Sequence, residues 1–428
     1  MYIRQLQIEN LRAFRRASID LLYPGRAQED AFADISRWPP RLPNVNVILG
    51  INGSGKSTIL YGAALAFLAP IASSSGYRPY SLIRRSRRGA TSHASVKAEV
   101  VLHAQDGTAE RGRTEEFSAD IERRRDLELL SAPPEMAKWD GLFEEDGGAF
   151  FLVGYGASRR TEAVSAGDLA QRRRARSVRF ERVASLFEDH FALVPLSTWL
   201  PGFKEKNPGR HKQVETLLNK VLPPAVRFTG EIEAGEYLFR HRAITVPFGA
   251  LSDGYKVYIG WIGDLLYHLC MGAPSGARLV ESRGVVMVDE IDLHIHPAWQ
   301  RTIIPALART LKNIQFIFTT HSPLVVGTLE RANVLNIETA GTGLPVISRP
   351  DEETFGLSAD QILRSDVFGL ESTRDPEFQK RLAQLSQAAM RGEPGAALLF
   401  NRSASVGGGD IPDAGDPPEW LKSFAAKS

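Results

Sequence analysis

Four short tracts in this chain hold residues whose types and spacing can do chemistry. The first is Gly50-Ile51-Asn52-Gly53-Ser54-Gly55-Lys56-Ser57. Glycines at that spacing let the backbone curl. Successive N–H groups, from Asn52, Gly53, Ser54 and Gly55 through Lys56, Ser57 and Thr58, then converge on phosphate oxygens at the positive end of a helix. Lys56 suits the β- and γ-phosphates, and the Ser57 hydroxyl suits Mg²⁺. The second tract, Gly284-Val285-Val286-Met287-Val288-Asp289-Glu290, is an apolar run closed by two acids. Asp289 can hold Mg²⁺ through its water shell, and Glu290 can act as general base toward an attacking water. The third, Phe316-Ile317-Phe318-Thr319-Thr320-His321-Ser322-Pro323, ends in a histidine able to hydrogen-bond the γ-phosphate or the water. In the fourth, Leu251-Ser252-Asp253-Gly254-Tyr255-Lys256, Ser252 can cap the helix that follows and the N–H groups around Gly254 can meet an anion. The chemistry implied is binding and cleavage of a nucleoside triphosphate with Mg²⁺.

Such residues work only where strands and helices hold them. Val45–Leu49 reads as a buried strand entering the glycine loop, and the Ala- and Leu-rich run from Thr58 reads as the helix leaving it. Strands are expected at Tyr2–Glu9, Ala17–Leu22, Val96–His103, Ala149–Tyr155, Gly284–Val288 and Ile314–Thr319, with a strand pair over Arg227–Val246. Residues 73–92 read as loop and residues 104–147 as an irregular insertion. Arg179–Leu222 has helical spacing broken at Pro195, Pro201 and Pro208. Helices are expected after Asp253, over Ala298–Leu311, near Ser358–Leu363 and over Pro376–Met390, and residues 329–349 are strand-like by turns. The Gly/Pro/Asp-rich run Ser403–Pro418 reads as a flexible tail.

The 428 residues are 43% hydrophobic and 24% charged, ample for a large core. A formal net charge of +2 gives no global field toward nucleic acid or membrane. One cysteine, Cys270, permits neither an internal disulfide nor a cysteine zinc site, and no apolar run reaches the ~20 residues that span a bilayer. The expectation is a soluble, cytoplasmic protein. His294 and His296 lie two apart without a third ligand, which disfavours a metal site.

Taken in order, these tracts resemble the ABC-type ATPases of the SMC, RecF and OLD-like branch of AAA-family ATPases. Gly50–Ser57 is similar to Walker A, Leu251–Gly254 to the signature, Val285–Glu290 to Walker B, and His321 to the switch histidine. Ile8-Glu9-Asn10-Leu11-Arg12-Ala13-Phe14 looks like the opening of this branch, where Arg12 would lie near the nucleotide. Asp289–Pro297 resembles a D-loop, so that Asp292 and His294 would touch a partner subunit. The implied fold is an α/β P-loop NTPase: an ABC ATPase head with a mixed central sheet, an antiparallel β subdomain and a short helical insertion. The head would span residues 1–345 with the insert at about 165–225, a helical extension 346–400 and a tail 401–428. The Q-loop glutamine has no counterpart; Val153–Arg160 takes its place, with Ser158 or Arg159 as substitutes.

The resemblance implies two heads closing on two ATP molecules, with Ser252, Gly254 and Lys256 reaching the γ-phosphate in trans in a homodimer on which higher oligomers could build. The tract Phe355–Leu363 with Val367–Leu370 is similar to Septu-type (PtuA-like) and retron-associated defence ATPases. That implies an antiphage sensor or scaffold working with a separate effector nuclease. A RecF/SMC-like repair ATPase and an assembly scaffold with little hydrolysis stay open. Arginines at 84–88, 123–125 and 172–176 offer non-specific nucleic-acid contacts, or contacts to acidic partner proteins.

Overall fold

The computed structural model describes residues 1–72, 77–86, 89–103, 106, 113–136, 151–161, 177–274, 276–339, 344–393 and 395–405. The chain divides into two compact units, Met1–Ile362 and Leu363–Ser428.

In the first unit, β1 (Tyr2–Leu11) and β2 (Phe14–Asp20) form a hairpin, and β3 (Val45–Gly50) leads into the glycine loop. The helix Lys56–Ala72 follows. Two short strands, β4 (Arg85–Ser86) and β5 (Gly89–Ala90), pair within the expected loop. Next come β6 (His93–Val101), β7 (Thr114–Arg124) and β8 (Leu127–Ser131). The strands β7 and β8 correct the expectation of irregular insertion. Phe117, Ala119 and Ile121 alternate with polar or charged residues and are buried. The high charge of the exposed face masked a period of two. Arg125, at φ 56, begins the two-residue turn that joins them. Residues 137–147 of that stretch lie outside the described residues.

β9 (Leu152–Tyr155) is followed by three helices, Val178–Phe187, Leu196–Lys206 and Pro208–Val221. Pro208 starts its helix as expected, but Pro201 lies inside one rather than breaking it. As its sixth residue, Pro201 forgoes only one early hydrogen bond. The expected strand pair is three strands, β10 (Val226–Glu233), β11 (Glu236–His241) and β12 (Ile244–Pro247). The long helix Asp253–Gly272 and β13 (Gly284–Val288) stand where expected. The helix expected over 298–311 is two, Pro297–Gln300 and Ile303–Thr310. Then come β14 (Ile314–Thr319), the short helix Pro323–Val326, β15 (Val334–Thr339), β16 (Pro345–Ser348) and the helix Ala359–Arg364.

Two large sheets sandwich the helix Lys56–Ala72. One is antiparallel, in the order β2-β1-β6-β7-β8. The other runs β16-β15-β3-β14-β13-β9 and is parallel except for edge strand β16. Ile59, Leu60, Ala63, Ala64, Leu65, Ala66, Phe67 and Leu68 are all buried, so this helix is apolar on every side. A helix of that kind must be covered on every side. The fully buried Gln315 on β14 exchanges two 2.7 Å hydrogen bonds with the backbone of Ile3, tying one sheet to the other. The wholly apolar run of β13, and the mostly apolar runs of β3 and β14, follow from burial on both faces.

In the second unit, the helix Pro376–Met390 is capped by Asp375, which accepts from the N–H groups of Glu377 and Phe378. It packs on the helix Ala396–Ser405, which runs past the boundary expected at residue 400. No described helix is long and apolar enough to cross a membrane.

Candidate functional site

Strands β3, β14 and β13 are adjacent and parallel, so the loops leaving them gather at one edge of the sheet. Those loops carry Gly50–Ser57, His321 and Asp289–Glu290.

The glycine loop is a nest of left-handed residues, with Gly53 at φ 80 and Gly55 at φ 109. At Gly55 a Cβ would stand 2.6 Å from the ring of Phe14, which packs the β1–β2 turn against the loop. Lys56 is 6% exposed and its ammonium donates to the carbonyls of Gly50 (3.0 Å) and Ile51 (3.2 Å). Burial lowers its pKa, against the pull of Asp289, Glu290 and Asp292. Asn52 and Gly53 are exposed, Ser54 and Thr58 are buried, and Ser57 is half-buried at the head of the helix. The buried Ser54 hydroxyl has no partner.

Asp289 is buried and Glu290 half-buried. One hydroxyl, that of the fully buried Thr319 on β14, serves both: it donates to the Asp289 carboxylate and accepts from the Glu290 N–H at 2.8 Å. The next hydroxyl, Thr320, donates to the carboxylate of Asp292. Glu290 adopts φ 47, the left-handed region that side chains disfavour, as the chain turns from strand to loop. Arg159 lies beneath this turn, donating to the carbonyls of Asp289 (2.7 Å) and Glu290 (2.9 Å).

His321 has a buried Nε2 with no partner. Burial first, then the Lys56 ammonium, pushes its pKa down, while Asp292, Glu290 and Asp289 pull it up. These five groups therefore share one electrostatic site. An unpartnered serine hydroxyl, an unpartnered imidazole nitrogen and a lysine satisfied only by its own loop suit a polyanion. The carboxylate of Asp289 and the hydroxyl of Ser57 suit a hard cation. Arg12, at φ 44, stacks its guanidinium 4.6 Å over Tyr61 on the helix after the loop, and Tyr61 in turn feels Asp289.

Ser252 stands at the N-cap position of the helix Asp253–Gly272 but makes no capping hydrogen bond, contrary to expectation. Its side chain is exposed, and Lys256 pairs instead with Asp253 at 3.1 Å. A Cβ on Gly254 would meet the carbonyl oxygen of His294 at 2.5 Å, so the helix start rests directly on the loop after β13. His296 Nδ1 accepts from the N–H of Ala298 as a helix cap. No cluster of three or more metal-ligating side chains occurs among the described residues.

Three residues went unassigned in the sequence. Thr319 and Thr320 lay in a quoted tract with no sign of their roles. Gln300 donates to the carbonyl of Ile295 (2.9 Å) and accepts from the Ser322 hydroxyl (2.7 Å), joining the two loops, and nothing marked it beforehand. Among the basic clusters, Arg84 donates to the Ala13 carbonyl, Arg123 to Ile83 and Glu128, and Arg124 pairs with Glu122. Residues 87, 88 and 172–176 lie outside the described residues.

Similarity to known proteins follows the same division of motifs. A family profile described as "AAA domain" matches residues 5–133, and one described as "AAA domain, putative AbiEii toxin, Type IV TA system" matches residues 169–327. The "Retron Ec83 probable ATPase" of Escherichia coli is 34% identical over 36% of this chain. The "Retron Vc95 probable ATPase" of Vibrio cholerae serotype O1 biovar El Tor is 39% identical over 26%. The "Septu protein PtuA" of Bacillus mycoides (strain KBAB4) is 27% identical over 52%. Parts of this chain are thus similar to the retron ATPases and to Septu PtuA. The matches span 29%, 22% and 30% of those proteins' own lengths. Among solved structures, the "SMC head domain from Thermotoga maritima" aligns over 82% of this chain and 100% of its own, at 17% identity and a TM-score of 0.43. An Smc head with an extended coiled coil from Pyrococcus furiosus aligns over 81% and 96%, at 13% identity and 0.47.

Proposed function

We propose that this protein is an ATPase that closes as a homodimer around ATP and hydrolyses it. The reading rests on one observation: Lys56, Asp289, Glu290 and His321 meet at the shared edge of β3, β13 and β14. Lys56 would exchange its own loop carbonyls for the β- and γ-phosphates, with the N–H groups of Asn52 to Thr58 around them. Ser57 and Asp289 would hold Mg²⁺, which supplies charge neutralisation between the terminal phosphates. Glu290 takes a proton from water as its oxygen bonds to the γ-phosphorus. The bond to the β–γ bridging oxygen breaks, and ADP and phosphate leave. His321, held neutral by its surroundings, donates to the γ-phosphate or orients the water.

One head offers donors on one side of the triphosphate only. The exposed Ser252, with Gly254 and Lys256, is read as the donor set for a second copy's nucleotide, and Asp292 as lying at that junction. Kinship with the retron ATPases and Septu PtuA supports a sensor or scaffold role in antiphage defence, with a separate effector nuclease and an assembly built from such dimers. Exposed arginines leave non-specific nucleic-acid contact as a secondary expectation.

Glu290→Gln tests the reading. Phosphate release should fall at least ~100-fold, and light scattering should find an ATP-dependent dimer that persists. Normal turnover in this variant would overturn the base assignment. A monomer at saturating ATP would overturn the dimer.

A further inference from the structure

We propose that Arg159 is the positioning residue of this site: its guanidinium forks across the carbonyls of Asp289 and Glu290 and fixes the turn that aims the Glu290 carboxylate. The proposal rests on the ATPase reading and adds a residue to it.

Arg159 is 1% exposed, so its charge is held inside the protein. The two hydrogen bonds, 2.7 and 2.9 Å, go to consecutive carbonyls. A planar fork holds the two carbonyls in one fixed geometry, whereas a lysine ammonium in its place would be a single point on a flexible stem and would hold them less rigidly. The residue it holds is the one that needs holding. Glu290 sits at φ 47, where a side chain crowds its own backbone, and such a conformation persists only when its surroundings over-determine it. Thr319 fixes the N–H side of Glu290 and Arg159 fixes the carbonyl side. Without the fork, the backbone is free to relax toward φ < 0, swinging the carboxylate away.

Arg159 is itself anchored. Gly156 donates to the Ser185 hydroxyl (3.2 Å), the Ser158 hydroxyl to the Asp189 carbonyl (3.0 Å), and the Leu193 N–H to the Arg160 carbonyl (2.8 Å). Burial lowers its pKa to about 10, offset by Asp289, Asp292 and Glu290, so it keeps its charge at neutral pH.

The test compares wild type, Arg159→Met, Arg159→Lys and Glu290→Gln by two measurements. Hydrogen exchange of the nucleotide-free protein should show faster exchange across residues 288–293 in Arg159→Met, with the β1–β6–β7 sheet unchanged. Phosphate release should fall ~100-fold, as for a catalytic group displaced by about 1 Å, while affinity for a fluorescent non-hydrolysable ATP analogue stays within about threefold. Should Arg159→Met fail to fold, Arg159→Lys decides, since it keeps the charge and loses the fork. It should show the same local exchange and a turnover loss of ~10-fold or more. Unchanged exchange at 288–293, or full turnover, in the folded variant overturns the proposal. Lack of turnover in wild type would instead overturn the ATPase reading, leaving the exchange result to judge Arg159.

Discussion

Thr319→Val separates a polar role for this position from a packing role. Thr319 is fully buried on β14, and valine has nearly its shape, so packing alone predicts a neutral or stabilising change. The hydroxyl, however, donates to the Asp289 carboxylate and accepts from the Glu290 N–H. Losing a hydrogen bond to an ionised carboxylate costs about 1.5–3 kcal/mol, and leaving a partly buried N–H without an acceptor adds about 1–2 kcal/mol. Gain from the extra apolar surface offsets less than about 1 kcal/mol. The expected net loss is therefore about 3 kcal/mol. Thr319→Ser keeps the hydroxyl and loses one buried methyl, for about 1 kcal/mol. Urea denaturation of the three proteins should rank wild type, then serine, then valine. Phosphate release should survive in the serine variant and collapse in the valine one. A valine variant more stable than the serine one would refute the hydrogen-bond argument.

Two further outcomes follow from the same geometry. Gly55→Ala must place a Cβ 2.6 Å from the Phe14 ring at φ 109, so its urea midpoint should reflect a loss of roughly 2–3 kcal/mol. Adding Phe14→Leu should recover only the steric part, and full recovery would show the backbone angle to be harmless. His321 should titrate by NMR below the ordinary imidazole range in nucleotide-free protein, because burial and Lys56 oppose its charge. A base with a depressed folded pKa destabilises the fold as pH drops below its unfolded value of about 6.5, so this contribution to stability is lost on acidification. Lys56→Met should raise the midpoint, with burial still holding it low. A midpoint unmoved by Lys56→Met would mean that the two groups do not share a site.

Legibility followed how locally each feature is encoded. The strand, loop and helix around Lys56, and the strands ending at Asp289 and His321, are readable because buried parallel strands are mostly apolar and their ends are abruptly polar. The alternation of Phe117, Ala119 and Ile121 is hard to read in the sequence because the opposite face of β7 carries Glu116, Asp120, Glu122 and Arg124, whose charge hides it. Ser252 looked like a cap because serine before a helix usually is one, yet its hydroxyl bonds to nothing in its own helix. Thr319, Thr320 and Gln300 act across loops far apart in sequence, so no local pattern could assign them.

Those long-range contacts make one backbone of what the sequence presents as separate motifs. From Val288 the chain passes through the strained Glu290, pinned on both sides by Arg159 and Thr319, into a loop closed by Ile295 N–H to the Asp292 carbonyl. Gln300 then ties that loop to Ser322, beside His321. The carbonyl of His294 lies under Gly254, so the loop's far end is the floor of the helix that presents Ser252. Packed interiors transmit displacement because they have no slack. In the proposed dimer, a second copy pressing on Ser252 and Gly254 would press on His294, and through four peptide bonds on Glu290. Under the proposed function, coupling of turnover to dimer closure would then need no separate relay. A Gly254→Ala variant should uncouple them: its Cβ must lift the helix start off the His294 carbonyl, lowering turnover in a phosphate-release assay while nucleotide binding at Lys56 is kept.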